Sequence, residues 1–172
     1  MPSILALDQS LRRTGVAVLP DTTSYTVIHK ATFTTPIGLD LTETIEQHRL
    51  YISRIIHYYS IEHLFIEDVY PTSVAKNLYV LKEWYKWYGR YYLNLKTWVL
   101  SPRTTAQYSW TRALGILSTK QSVKHKLWHE AKIECEDADQ ADAIGILLGG
   151  IILAYPNINI NMNHLRIKNI EL

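Results

Sequence analysis

The sequence predicts an α/β domain in which a mixed five-stranded sheet, three antiparallel strands followed by two parallel ones, carries helices on its faces. Three observations support this. Short apolar alternations open the chain, at Ile4-Leu5-Ala6-Leu7, at Val16-Ala17-Val18-Leu19 and at Tyr25-Thr26-Val27-Ile28, separated by turn-forming stretches in the manner of an antiparallel meander. Further along, short strand-like runs alternate with helical periods, which is how parallel strands are joined by crossovers. Finally, 172 residues with 47% hydrophobic and 20% charged content suit one globular core.

After the meander the period changes. Leu41, Ile45, His48, Ile52, Ile55 and Tyr59 share one helical face, predicting a long first helix. His48 lies on that apolar stripe, where a single histidine suits a hydrogen-bonded core position better than a ligand role. A strand at 63–67 follows. Pro71-Thr72-Ser73 offers a turn and an N-cap for a helix running to about residue 92, and a fifth strand at 97–100 is ended by Pro102. Helical stretches are expected at about 104–113, 120–132 and 137–154. Residues 1–155 are read as one domain and 156–172 as a tail. In the tail, Ile158, Ile160 and Met162 alternate with asparagines, a pattern open to an edge strand, a partner-binding arm or a mobile end, the usual state of a terminus.

Composition narrows the function classes. The longest near-apolar run, 143–155, holds three glycines and is well short of the roughly 20 residues that cross a bilayer. No basic segment precedes a long apolar stretch near Met1, so no secretory signal is expected and a cytoplasmic location follows. With Cys135 as the sole cysteine, an intramolecular disulfide and a thiolate zinc cluster are excluded. The net charge of +2 hides an uneven distribution: residues 76–132 contain eleven Lys and Arg against Glu83 and Glu130. Glu134, Glu136, Asp137, Asp139 and Asp142 come directly afterwards. A basic surface beside a tight acidic spot attracts a polyanion and tolerates it at the acidic spot only through cations.

The chemistry concentrates on four carboxylates. Asp8 ends the first apolar strand and Glu67 the fourth, so both are expected at a sheet edge. Asp139 and Asp142, three apart in the first turn of the last helix, share a face. That pair also suits the positive end of a helix dipole. A strand-end carboxylate, by contrast, costs desolvation when buried without a partner or cation. Oxygen-only donors suit a hard ion such as Mg²⁺, and two such ions about 3.5–4 Å apart can activate a water and stabilise the leaving oxygen of a phosphodiester. Lys82, Lys86 and Arg90 recur every fourth residue among Trp84, Trp87 and Tyr91, giving a basic stripe for phosphates, with the aromatics better suited to a core or a dimer interface. Lys120 and Lys124 precede the acidic cluster, and phosphate contact is the favoured reading there.

These residues carry a family resemblance. The run 4–15, with Asp8 followed six and seven residues later by Thr14-Gly15, resembles the opening motif of the RuvC family of Holliday junction resolvases. Glu67 followed three residues later by Tyr70 resembles the second motif, and Asp139-Gln140-Ala141-Asp142-Ala143 the third. Order, spacing and element type agree over about residues 4–154. The resemblance implies a ribonuclease H-like fold, a homodimer, and Mg²⁺-dependent cutting of four-way DNA junctions by paired nicks, with Mn²⁺ as a substitute. It places metal-binding catalytic carboxylates at Asp8, Glu67, Asp139 and Asp142, a base-stacking aromatic at Tyr70 and a lysine near the scissile phosphate at Lys120. Gln9-Ser10 departs from the family's frequent Pro-Gly, and Arg112 or Arg103 stands as a replacement for a second active-site lysine. Lys82, Lys86, Arg90, Arg103, Arg112, Lys120 and Lys124 would contact DNA. The Tyr-, Ile- and Asn-rich composition suggests a divergent, phage-borne member. Two other readings stand beside it: a non-catalytic junction- or nucleic-acid-binding protein, and a ribonuclease H acting on RNA–DNA hybrids. A nucleotide-handling enzyme also opens with a strand-end aspartate and a Thr-Gly hairpin, but needs two lobes.

Overall fold

Period-two alternation divides the first strand between two cores, and the rest of the architecture follows from that split. In β1 (Ile4–Asp8), Ile4 and Ala6 enter one apolar cluster while Leu5 and Leu7 enter the other. β2 (Arg13–Leu19) and β3 (Val27–Thr34) continue the antiparallel meander, with Asp8 opposite Gly15 and Gly15 opposite Thr32. The computed structural model describes residues 2–20, 27–69, 75–116 and 123–172. The sequence-predicted strand positions Tyr25 and Thr26, the N-cap at 71–73, Tyr70 and Lys120 lie outside the described residues.

α1 (Leu41–Tyr59) begins at a capping box in which the Asp40 carboxylate accepts from the Glu43 amide at 2.8 Å and Glu43 accepts from the Asp40 amide at 2.9 Å. Its apolar stripe buries Ile52 and Ile55 against Leu5, Leu7, Val16 and Val18, each worth about 1.5–3 kcal/mol of transfer free energy. His48 is buried there, as expected, its Nδ1 hydrogen-bonded to the Tyr85 hydroxyl at 2.6 Å. β4 (His63–Glu67) runs parallel to β1, and β5 (Lys96–Leu100) parallel to β4. Between them α2 (Lys76–Trp87) covers the same face as α1 and ends in a π-helical turn, Tyr88–Tyr92.

The opposite face carries α3 (Trp110–Ala113), α4 (Val123–Ala131) and α5 (Ala138–Ala154). α5 is the most buried helix, which explains its nearly uninterrupted apolar run. The helix expected over 104–113 is only the four-residue α3. Its upstream half is committed elsewhere: the Ser101 amide donates to the Tyr108 carbonyl at 2.8 Å and the Trp110 amide to the Ser101 carbonyl at 3.1 Å. Ser109 then caps α3 by accepting from the Arg112 amide at 3.1 Å.

Among the described residues the sheet has six strands, in the order β5-β4-β1-β2-β3-β6, where five were expected. The extra strand, β6 (Arg166–Asn169), comes from the tail and pairs parallel with β3. The alternating Ile158, Ile160 and Met162 are not that strand; they pack against the α5 core, carrying the chain back to the edge of β3.

Candidate active site

Three local features bring the carboxylates together. Leu7 is in register with Ile66, so the next residues of these parallel strands, Asp8 and Glu67, emerge at the same sheet edge. Asp137 caps α5, accepting from the Gln140 amide at 2.8 Å, and fixes where the helix bearing Asp139 and Asp142 starts. Gly15, the partner of Asp8, lets that helix come down onto β2: a Cβ at this position would stand 1.8 Å from the Asp139 carbonyl oxygen. The Thr-Gly pair thus has two structural roles. Thr14 closes the turn by exchanging hydrogen bonds with Ser10, at 3.0 and 3.1 Å, and Gly15 admits α5.

The four carboxylates form one electrostatic unit. Burial, then the negative charges of Glu67 and Asp142, push the Asp8 carboxyl up to about 8, against the opposing pull of Lys82, with Asp139 adding to the rise. Burial, then Glu67 and Asp139, push Asp142 up to about 7. Two members are compensated by the protein. Glu67 Oε1 accepts from Lys82 Nζ at 3.3 Å and Oε2 from Trp110 Nε1 at 3.1 Å. Asp139 accepts from Arg13 Nε at 3.2 Å. Arg13 also donates to Asp137 at 2.6 Å. Burial raises Asp137, but bonds from the Gln140 amide, the Thr32 hydroxyl and Arg13 outweigh it and hold that carboxyl below the usual range.

The basic stripe differs from the expectation. Lys82 is 5% exposed and belongs to the acidic centre, not to an outer surface. Lys86 is held between Asp68 at 3.1 Å and Glu83 at 2.7 Å. Arg90 alone of the three projects from the surface. The turns at the end of α2 instead expose Trp87, Tyr91 and Tyr92, while Tyr85 and Tyr88 enter the core. Arg103, Arg112 and Lys124 are exposed, the Arg112 guanidinium donating to the Gln107 carbonyl at 3.1 Å.

Several contributors were not assigned to the site from sequence. Trp110 holds Glu67 and seats its backbone against α5, where a Cβ on Gly149 would stand 2.6 Å from the Trp110 carbonyl oxygen. Nothing in a lone tryptophan within a polar stretch that reads as helical signals this. Gln9, buried, accepts from the Glu67 amide at 3.0 Å and so ties the ends of the two strands that carry Asp8 and Glu67; its Nε2 has no partner among the described residues. The cap at Asp137, with Gln140 three residues on, follows the sequence pattern of a helix start.

The donor set is all oxygen, and two of its members, Asp8 and Asp142, are half-buried beside like charge, which favours a hard divalent cation. Among the described residues, no three acidic, histidine or cysteine side chains are drawn tightly enough to form a complete metal cage. An ion that keeps several of its own waters, as Mg²⁺ does, is compatible with such an open set.

No family model and no curated protein matches the sequence. The fold, however, is shared with solved structures. A Thermus thermophilus RuvC structure is similar over 90% of this chain and 96% of its own, with a TM-score of 0.69 and 13% identity. T. thermophilus RuvC in complex with Holliday junction substrate is similar over 91% and 97%, with a TM-score of 0.71 and 13% identity. The chain therefore shares its fold with T. thermophilus RuvC, a mixed sheet flanked by helices as the sequence led us to expect.

Proposed function

We propose that this protein is a divalent-metal-dependent, structure-selective endonuclease that resolves four-way DNA junctions by paired nicks. The observation that carries the reading is the meeting of Asp8, Glu67, Asp139 and Asp142 at one edge of a fold shared with a protein solved on a Holliday junction. Asp8 and Asp142, with Asp139, would hold the cations, Mg²⁺ or Mn²⁺. When bound, such ions supply an activated water and charge stabilisation of the leaving oxygen. Glu67, restrained through both oxygens by Lys82 and Trp110, keeps one orientation and presents its remaining lone pairs to the centre.

The exposed cations Arg90, Arg103, Arg112 and Lys124 would hold the phosphate backbone outside the centre, Lys120 would act near the scissile phosphate, and Tyr70 would stack on a base near the junction point. Binding carried by such contacts weakens steeply with salt. Paired nicks need two centres, so the working form is a homodimer; the exposed Trp87, Tyr91 and Tyr92 offer the aromatic surface that interfaces favour. The setting is the cytoplasm.

Incubating the protein and Mg²⁺ with end-labelled four-way junction, linear duplex and RNA–DNA hybrid tests the substrate. Paired nicks confined to the junction are expected. Cutting of the RNA strand in the hybrid would instead establish a ribonuclease H, and binding without cutting a junction-binding protein.

A further inference from the structure

The acidic centre contains a cation of its own. Lys82 sits on α2 with 5% of its surface exposed, and its ammonium reaches Glu67 Oε1 at 3.3 Å. Burying an ammonium costs several kcal/mol unless opposite charge repays it, and what faces this one is the carboxylate cluster. The compensation is uneven. Lys82 covers Glu67 and Arg13 covers Asp139 at 3.2 Å from the solvent side. Asp8 and Asp142 have no ion pair with a protein cation among the described residues.

We propose that Lys82 is a resident positive charge on the Glu67 side of the centre and makes its two cation positions unequal. One divalent ion binds tightly through Asp8 and Asp142, and a second, which must share Glu67 with the ammonium, binds weakly. This rests on the metal-dependent reading above. Lys82 is a positioning residue: it acts through Glu67 and sets how readily the second ion enters. Trp110, on the other Glu67 oxygen at 3.1 Å, limits the carboxylate's freedom to swing away from the ammonium.

The test is a Mn²⁺ titration of the full-length protein without DNA, following free Mn²⁺ by electron paramagnetic resonance, for wild type, Lys82→Met and Lys82→Arg. Wild type should take up one tight ion and a second only at much higher concentration. In Lys82→Met, which keeps the buried volume and removes the charge, the second ion should bind at least about tenfold more tightly because the repulsion at short range is gone. Lys82→Arg should behave as wild type. A titration of Lys82→Met that overlays wild type, with circular dichroism showing both folded, overturns the proposal. Glu67→Gln provides an arm that does not depend on Lys82→Met folding: it should keep the tight ion and lose the weak one, and loss of the tight ion would overturn the assignment. Failure of wild type to bind Mn²⁺ at any concentration would defeat the metal-dependent reading itself, an outcome distinct from two equal titrations.

Discussion

Replacing Asp8 by asparagine should stabilise the metal-free protein while destroying its response to metal. Asp8 is held in the folded chain at about 8 by burial and by Glu67 and Asp142, against 3.8 for the free carboxyl. A folded-state value above the unfolded one means that the native state binds the extra proton. The contribution of Asp8 to stability is therefore full below about pH 4, declines as pH rises, and is lost above about pH 8. At about 1.4 kcal/mol per tenfold change in proton affinity, the ceiling is roughly 5–6 kcal/mol. The unfavourable charge is shared, however, and ionising any one of the group raises the cost for the others, so an asparagine should recover about 1–3 kcal/mol at pH 8. For a domain of this size that is a rise in Tm of about 3–10 °C.

The assay is thermal unfolding of wild type and Asp8→Asn in chelator at pH 5 and pH 8, repeated with excess Mg²⁺ at pH 8. Asp8→Asn should melt above wild type in chelator, by less at pH 5 than at pH 8. Mg²⁺ should raise the wild-type Tm, by an amount growing with the logarithm of its concentration, and leave the variant unmoved. A variant that melts at or below wild type in chelator at pH 8 would refute the reasoning, because it would show that the Asp8 charge is satisfied by the protein alone.

Three further outcomes follow from the packing. Gly15→Ala places a Cβ 1.8 Å from the Asp139 carbonyl, so α5 must shift; a loss of about 3 kcal/mol or more in urea unfolding is expected, together with loss of Mn²⁺ binding, and a fully stable, metal-binding variant would contradict the close approach. Trp110→Phe removes the indole donor from Glu67 and should cost about 2–4 kcal/mol by the same measurement, whereas a change below about 0.5 kcal/mol would show that the bond carries nothing. Burial lowers His48 to about 4, below its unfolded value of 6.5, so its contribution is present above about pH 6.5 and lost as pH falls toward 4. His48→Leu should flatten wild-type acid destabilisation in that window, and an unchanged pH–stability curve would count against the assignment.

How much of this was legible in the sequence depended on whether the signal was local. The strands at Ile4 and His63 and the helix at Leu41 carried their own periodicity, and the burial of His48 followed from the stripe it sits on. The strand-end positions of Asp8 and Glu67 and the helix-start positions of Asp139 and Asp142 were equally local, which is why their convergence could be anticipated. Side-chain partnership was not. Lys82 read as one tooth of a basic stripe because helical spacing places it with Lys86 and Arg90, yet the rotation of α2 on the sheet turns it inward to Glu67. Trp110 and Gln9 reach the site through contacts 43 and 58 residues distant in sequence, which no periodicity encodes. The sixth strand was hidden for a related reason: Arg166–Asn169 is a four-residue polar edge strand, formed because β3 offers it a free edge.

The proposed function requires that these four carboxylates make a metal-dependent centre for cutting branched DNA. It is tested most directly by comparing wild type with Asp142→Asn on a labelled four-way junction, scoring binding by gel shift and cutting in Mg²⁺ or in chelator. Paired nicks by wild type in Mg²⁺ alone are expected, with the variant binding the junction as well as wild type and leaving it uncut. Cutting that survives in chelator or in Asp142→Asn, or wild-type binding without cutting in any divalent ion, would contradict the proposed function.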